Sequence, residues 1–244
     1  MSSTPVAPLA GAAAEAVGVA VGGAALALAS GWLMHPTLAM VMASIAACNG
    51  AIGGWRGVYG WRTPTGWVAF ILDSTWATVP VAVGLLTHLV ALVSRRPGYE
   101  ASLSRRQHRH VYRNGARLRP GFALTVGNVI SGAGNVDGAR RRKLITDHEA
   151  VHVWQARWFG PLYLVLYGLW AAAAGVIGVV LWVVQRCRQP LGKVVESCAY
   201  YLNPFEWWAY SRDDLWPPPG LLTGFGWRRP AARPLADMRR RRVR

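Results

Sequence analysis

AVGVAVGGAALALASGWLMHPTLAMVMASIAACNGAIGGW, residues Ala16 to Trp55, contains no Asp, Glu, Lys or Arg. A bilayer is crossed by about 20 consecutive apolar residues, so this run is too long for one helix and long enough for two. His35-Pro36 divides it, because the residue before a proline is pushed out of helical geometry. The stretch therefore reads as two helices, roughly 10–34 and 37–55, joined by a tight turn. Inside the first, Gly18-x-x-x-Gly22 is a small-xxx-small pattern that lets helix backbones approach closely. A simple bias toward Gly and Ala accounts for it equally well.

Two further apolar runs follow. The third covers 66–94 and holds only two ionisable groups, Asp73 and His88. Polar groups in a span are costly and tend to face the protein interior or a cavity. A hydrogen-bonded structural role fits Asp73 better than catalysis, and His88 lies nearer the run's other end. The fourth run is 160–185. Of the 244 residues, 27 are Lys or Arg and 11 are Asp or Glu, giving +16 at pH 7, yet 52% are hydrophobic. Mean hydropathy is +0.20. A disordered basic protein is excluded, because disorder needs low hydrophobicity. A soluble nucleic-acid binder rarely combines this charge with 13 Trp and positive hydropathy. Charge gathered in the loops of a membrane protein satisfies both facts.

The cations fall mainly in 95–159 and 186–244. Short loops rich in Lys and Arg stay cytoplasmic. That rule places both segments on the cytoplasmic side and the N-terminus outside. Both flanks of 160–185 then share one side. Such a run must re-enter, bending near Gly168 or Gly175, unless it is an ordinary fourth span. No cations precede the first apolar run, so it lacks the charged start of a signal peptide and the first helix is expected to be retained. Cys48, Cys187 and Cys198 are scattered and form neither a disulfide framework nor a cysteine zinc site.

The polar segment has its own pattern. Asn114-Gly115 is a type I′ hairpin signal, and Phe122 to Ile130 reads as a short strand. A glycine-rich loop, 132–138, leads to a helix at roughly Ala139–Trp158. The expected fold is thus mainly α. It is a multi-pass membrane protein with three spans, a fourth apolar segment that spans or re-enters, and a small β-hairpin beside that last helix. The organisation is a transmembrane domain over 1–94, a basic segment over 95–159, the apolar run 160–185 and a basic segment over 186–244.

The helix carries His148-Glu149-Ala150-Val151-His152, an H-E-x-x-H motif. Positions four apart share a helical face, so both imidazoles can reach one metal ion. Glu149 then stands beside the metal as a general base, and zinc would lower the pKa of its bound water toward about 7. With so few His and Glu, chance would produce the motif at a rate on the order of a few per thousand. The bland alternative is an exposed His-Glu pair with no metal.

A catalytic zinc site needs a third protein ligand. His108 and His110 are weak candidates in a basic stretch, and no metzincin continuation follows His152. Downstream, Asn203 is a good N-cap and Pro204 suits the first helical position. Glu206 then falls in the first turn of a new helix. It either closes a capping box with Asn203 or is the third ligand. Acidic competitors after His152 are few, and Glu196 and Asp213 are the alternatives.

H-E-x-x-H followed tens of residues later by Glu206-x-x-Ala209 resembles the gluzincin arrangement of membrane-embedded zinc metallopeptidases. Those are the peptidases related to CAAX-prenyl endopeptidases and to the heat-shock-induced bacterial membrane protease. The resemblance covers about 30 residues. It implies Glu149 as general base and His148, His152 and Glu206 as zinc ligands. The family pattern continues with Asp where this chain has Tyr210. That Asp helps orient a ligand histidine, a role left open to Asp213, Asp214 or Asp147. Gln155 extends the motif to H-E-x-x-H-x-x-Q.

The expected activity is zinc-dependent hydrolysis of a peptide or protein substrate. Tyr200, Tyr201 and Tyr210 are candidate oxyanion donors, and the Phe122–Ile130 strand could receive an extended substrate by strand addition. The alternative is a non-catalytic membrane scaffold or adaptor with a relic motif. Anionic lipid headgroups at the basic loops are the expected accessory contact, and a nucleic-acid partner is not expected.

Overall fold

The computed structural model describes residues 9–94, 98–117 and 121–213. The molecule is mainly helical and divides into two compact units. The first holds the described residues up to Arg142 together with Val153–Pro161, and the second holds Lys143–His152 and the described residues from Leu162 onward.

In the first unit, α1 (Leu9–Trp32) and α2 (Pro36–Trp55) form a hairpin. The turn is where the sequence places it. His35 is extended, its imidazole accepts the Thr37 N–H, and Pro36 opens the second helix. The packing face differs from expectation. Gly18 meets nothing within 4 Å, so Gly18-x-x-x-Gly22 is not the contact. The close approach runs through Gly23 and Gly31 on α1 and Gly50 and Gly54 on α2. A Cβ on Gly50 would lie 2.6 Å from the Val19 carbonyl oxygen, and one on Gly54 2.5 Å from that of Glu15.

The run 66–94 is not one straight span. It forms α3 (Pro64–Ser74) and α4 (Thr78–Val93), bent by 89° at the break. Pro80 supplies a reason. In a continuous helix its ring would clash with the carbonyl of Trp76, four residues back, whereas in the first turn of a new helix it is tolerated. Three helices are long and apolar enough to cross a membrane, α1, α2 and α8 (Leu162–Val184), or up to four if the bent pair counts as one.

Behind the break lies a buried polar network. Arg157, on α7 (Ala150–Phe159), grips Asp73 with two bonds of 2.8 Å, both side chains 1% exposed. Tyr59 donates to Asp73 at 3.0 Å, and Asn49 donates to Tyr59 at 3.1 Å. Asn128 donates to Asn49 at 2.9 Å. Asp73 thus has the structural role expected of it.

The small sheet differs in detail from the expected hairpin. Its strands are β1 (His110–Val111), β2 (Leu124–Val126) and β3 (Val129–Ser131), in the order β1-β3-β2. The antiparallel hairpin is β2–β3, and its turn is Gly127-Asn128 rather than Asn114-Gly115. Gly127 has φ +57, and among the two turn residues only it is left-handed, as a type II′ turn requires. A Cβ there would also lie 2.4 Å from the Pro80 carbonyl oxygen. The stretch 122–130 is therefore two strands. β1 joins in parallel, pairing His110 with Val129.

The loop after α2 is tied to the segment before β1, which follows the short α5 (Ala101–Ser104). Arg106 N donates to Gly57 O at 2.9 Å and His108 N to Val58 O at 3.0 Å. The chain before α3 and the chain leading into β1 therefore run side by side, on one side of this unit.

The second unit is a helical hairpin. α8 is one unbroken helix, so the expected bend near Gly168 or Gly175 is absent. The chain instead turns at 185–190 and returns through α9 (Leu191–Glu196), a π-helical segment (Ser197–Tyr201) and α10 (Pro204–Asp213). The return is antiparallel to α8. Gly178 faces Val195, Ala174 packs with Val194 and Cys198, and Tyr167 meets Glu206.

Candidate metal centre

The expected helix at Ala139–Trp158 is present as α6 (Ala139–Lys143), a π-helical segment (Leu144–Glu149) and α7. A π turn holds one extra residue, and such bulges are frequent at functional sites. His148 and Glu149 end the π segment and His152 lies in the first turn of α7, all three buried.

Glu206 reaches the same point from α10. Asn203 caps that helix, its side-chain oxygen accepting the Phe205 N–H at 3.0 Å. The Asn203 N–H donates to the Tyr200 carbonyl, not to Glu206, so the capping-box role for Glu206 is not taken. Its carboxylate faces the histidines. His148 Nε2 lies 3.4 Å from Glu206 Oε2, and His152 Nε2 lies 3.4 Å from Glu206 Oε1. The two Nε2 atoms are 3.2 Å apart. The three buried residues can hold a metal ion, one ligand atom each. Burial alone would raise the Glu206 carboxyl, but the two imidazoles outweigh it and hold the group well below the usual carboxylate range.

The surrounding shell is aromatic. The Tyr163 hydroxyl lies 3.3 Å from His152 Nδ1, and Tyr167 donates to Glu206 Oε1 at 2.8 Å. Tyr210 packs edge-on against His148 with ring centroids 4.4 Å apart. Phe205 stacks on Tyr167 and meets Tyr163 edge-on. Thus Tyr210, where the family pattern has Asp, lies against His148 of the cluster.

The other sequence candidates fall elsewhere. Glu196 is on α9, outside the cluster. Asp147 accepts the Thr146 hydroxyl at 2.7 Å. Tyr200 packs on Tyr201, and burial, followed by the Glu206 carboxylate, pushes its hydroxyl well above the ordinary range. Gln155 is fully buried on α7 in the first unit. His108 and His110 also belong to the first unit, and burial holds both imidazoles neutral, His108 lowered to about 4. The side chain of Asp213, with Asp214 and the Arg-rich tail, lies outside the described residues. Sequence reasoning missed Tyr163 and Tyr167. Their signal was the four-residue spacing that puts both hydroxyls on one face of an otherwise apolar helix.

Comparison with protein-family models, with curated proteins and with solved structures returns no match to this chain. The resemblance to membrane metallopeptidases therefore rests on the motif residues alone.

Proposed function

We propose that the chain is a zinc-dependent membrane metallopeptidase, with zinc held by His148, His152 and Glu206 and with Glu149 as general base. The spacing of the three ligand atoms carries this reading. Atoms bound at 2.0–2.2 Å to a tetrahedral zinc stand about 3.3 Å apart. The two Nε2 atoms are 3.2 Å apart, each lies 3.4 Å from a different oxygen of Glu206, and one ligand atom from each residue falls within 4.8 Å of the other two. Two histidines and one carboxylate with a fourth position open is a catalytic rather than a structural ligand set.

Zinc bound there would acidify a water and polarise a substrate carbonyl. The chain's own groups do the rest. Glu149, buried beside His148 in sequence, takes the proton of the attacking water and returns it to the leaving amine. Tyr163 fixes His152 through Nδ1 and leaves Nε2 for the metal. Tyr167 holds Glu206 by one oxygen. Anionic lipid headgroups meet the exposed cations Arg140, Arg142 and Lys143, and the motif end of the second unit faces the cytoplasm.

The test is metal analysis with a peptidase assay on the purified chain. His148→Ala should lose zinc. Glu149→Ala should keep zinc and lose about 10²–10⁴-fold in turnover. Full zinc in His148→Ala would sink the site, and retained proteolysis in Glu149→Ala would sink the mechanism.

A further inference from the structure

The first unit contains a second polar cluster that the metal site does not use. A cavity of about 320 Å³ is lined by Arg56, His88 and Tyr112 and by Ala51, Ile52, Trp55 and Leu92. That volume lies at the lower end of the range of small-molecule pockets. Arg56 caps the C-terminal end of α2, the end of a helix able to cross a bilayer. Its guanidinium lies 4.0 Å from the Tyr99 ring centroid and donates to the Tyr112 hydroxyl. Among the described residues it forms no ion pair, although a guanidinium stays charged at any accessible pH.

Arg56 donates to the Tyr112 oxygen, and the Tyr112 hydroxyl lies 2.7 Å from His88 Nδ1. When Tyr112 donates to Nδ1, a neutral His88 carries its proton on Nε2. That atom is buried and has no partner, as is His110 Nε2, whose ring meets that of His88 edge-on at 4.5 Å. A buried donor without an acceptor is rare and calls for one. The cluster therefore offers an uncompensated cation and an unused N–H. A metal cation is disfavoured by Arg56, and the missing group is an anion with oxygen acceptors.

The walls say what carries that anion. Trp55 is 52% exposed and Leu92 65%, and with Ala51 and Ile52 they make an apolar flank. Trp beside Arg at the end of a spanning helix marks headgroup depth. We propose that this cavity binds the headgroup of one anionic phospholipid, its phosphate on Arg56 and His88 and its chains along Ile52, Trp55 and Leu92.

The experiment uses the full chain in detergent, with native mass spectrometry and thermal unfolding. Phosphatidylglycerol, phosphatidylcholine and inorganic phosphate are added separately. One phosphatidylglycerol per chain should be retained, raising the unfolding temperature, while phosphatidylcholine and inorganic phosphate leave it unchanged. Arg56→Gln should weaken retention about fivefold, the effect of one cation at a lipid surface. Leu92→Glu puts a carboxylate at the exposed mouth without touching the buried cluster. It should abolish retention, whereas Leu92→Gln should not. Equal retention of both lipids, an equal response to inorganic phosphate, or Leu92→Glu behaving as wild type would each overturn the proposal.

Discussion

At Glu206 the chain invests a buried carboxylate in two imidazoles and one phenol rather than in its own helix cap. Glu206→Gln keeps the shape and removes the charge, so zinc should be lost while the fold is retained, as read by metal content and unfolding temperature together. Tyr163 reaches the cluster at His152 Nδ1. Tyr163→Phe should leave zinc bound but weaken it by about 10–100-fold, the usual cost of losing a group that orients a ligand histidine. Competition with a chelator measures it, and unchanged affinity would show the contact to be incidental. The cluster was legible in the sequence because histidines four apart on a helix share a face, and because few acidic residues compete with Glu206. The tyrosines were not. In an apolar run a tyrosine reads as an interface residue, and only the return of α10 against α8 shows what its hydroxyl meets.

Among the elements, helices were legible wherever a local rule fixed them. His35-Pro36 fixes the turn between α1 and α2, and the motif helix ends within a residue of its expected limit. Non-local features were hidden. Asn114-Gly115 had the better hairpin dipeptide, but the ladder forms where β2 and β3 can rest on α4, with Gly127 against Pro80. Likewise the packing glycines of α1 and α2 are chosen by the partner helix. Gly54→Ala should cost about 1–3 kcal/mol by overpacking. Gly18→Ala, in open space, should be neutral or stabilising by up to about 1 kcal/mol through helix propensity. Thermal unfolding in detergent separates them, and equal effects would mean the hairpin is packed otherwise. The Asp73–Arg157 pair lies beside the break between α3 and α4. Asp73→Asn leaves a buried guanidinium uncompensated and should cost about 3–5 kcal/mol.

For the whole molecule, the arginine rule and a spanning α8 make different demands on the turn at 185–190. The rule gives one side to everything after Gln185, because Arg186, Arg188 and Lys193 are cations. A spanning α8 would put that turn and Glu206 on opposite sides. α8 has 23 residues, a length of about 35 Å, against a hydrocarbon core of about 30 Å. Tyr167, near its start, meets Glu206, while Gly178, near its end, meets Val195. The turn carrying Cys187 is therefore at the opposite end of α8 from the His148–His152–Glu206 cluster. If α8 crosses the bilayer, the return through α9 must carry Glu206 back across most of its thickness, and Cys187 faces away from the cluster. Cys187 is exposed and provides a natural probe. In a Cys48→Ala, Cys198→Ala background, a membrane-impermeant thiol reagent should label Cys187 from one face of sealed vesicles. In the same background with Cys187→Ala, a cysteine placed at the exposed Arg212 of α10 should be labelled only from the other. Labelling of both from one face would mean that α8 lies along the membrane surface. The metal cluster would then sit at the interface rather than at the end of a spanning hairpin.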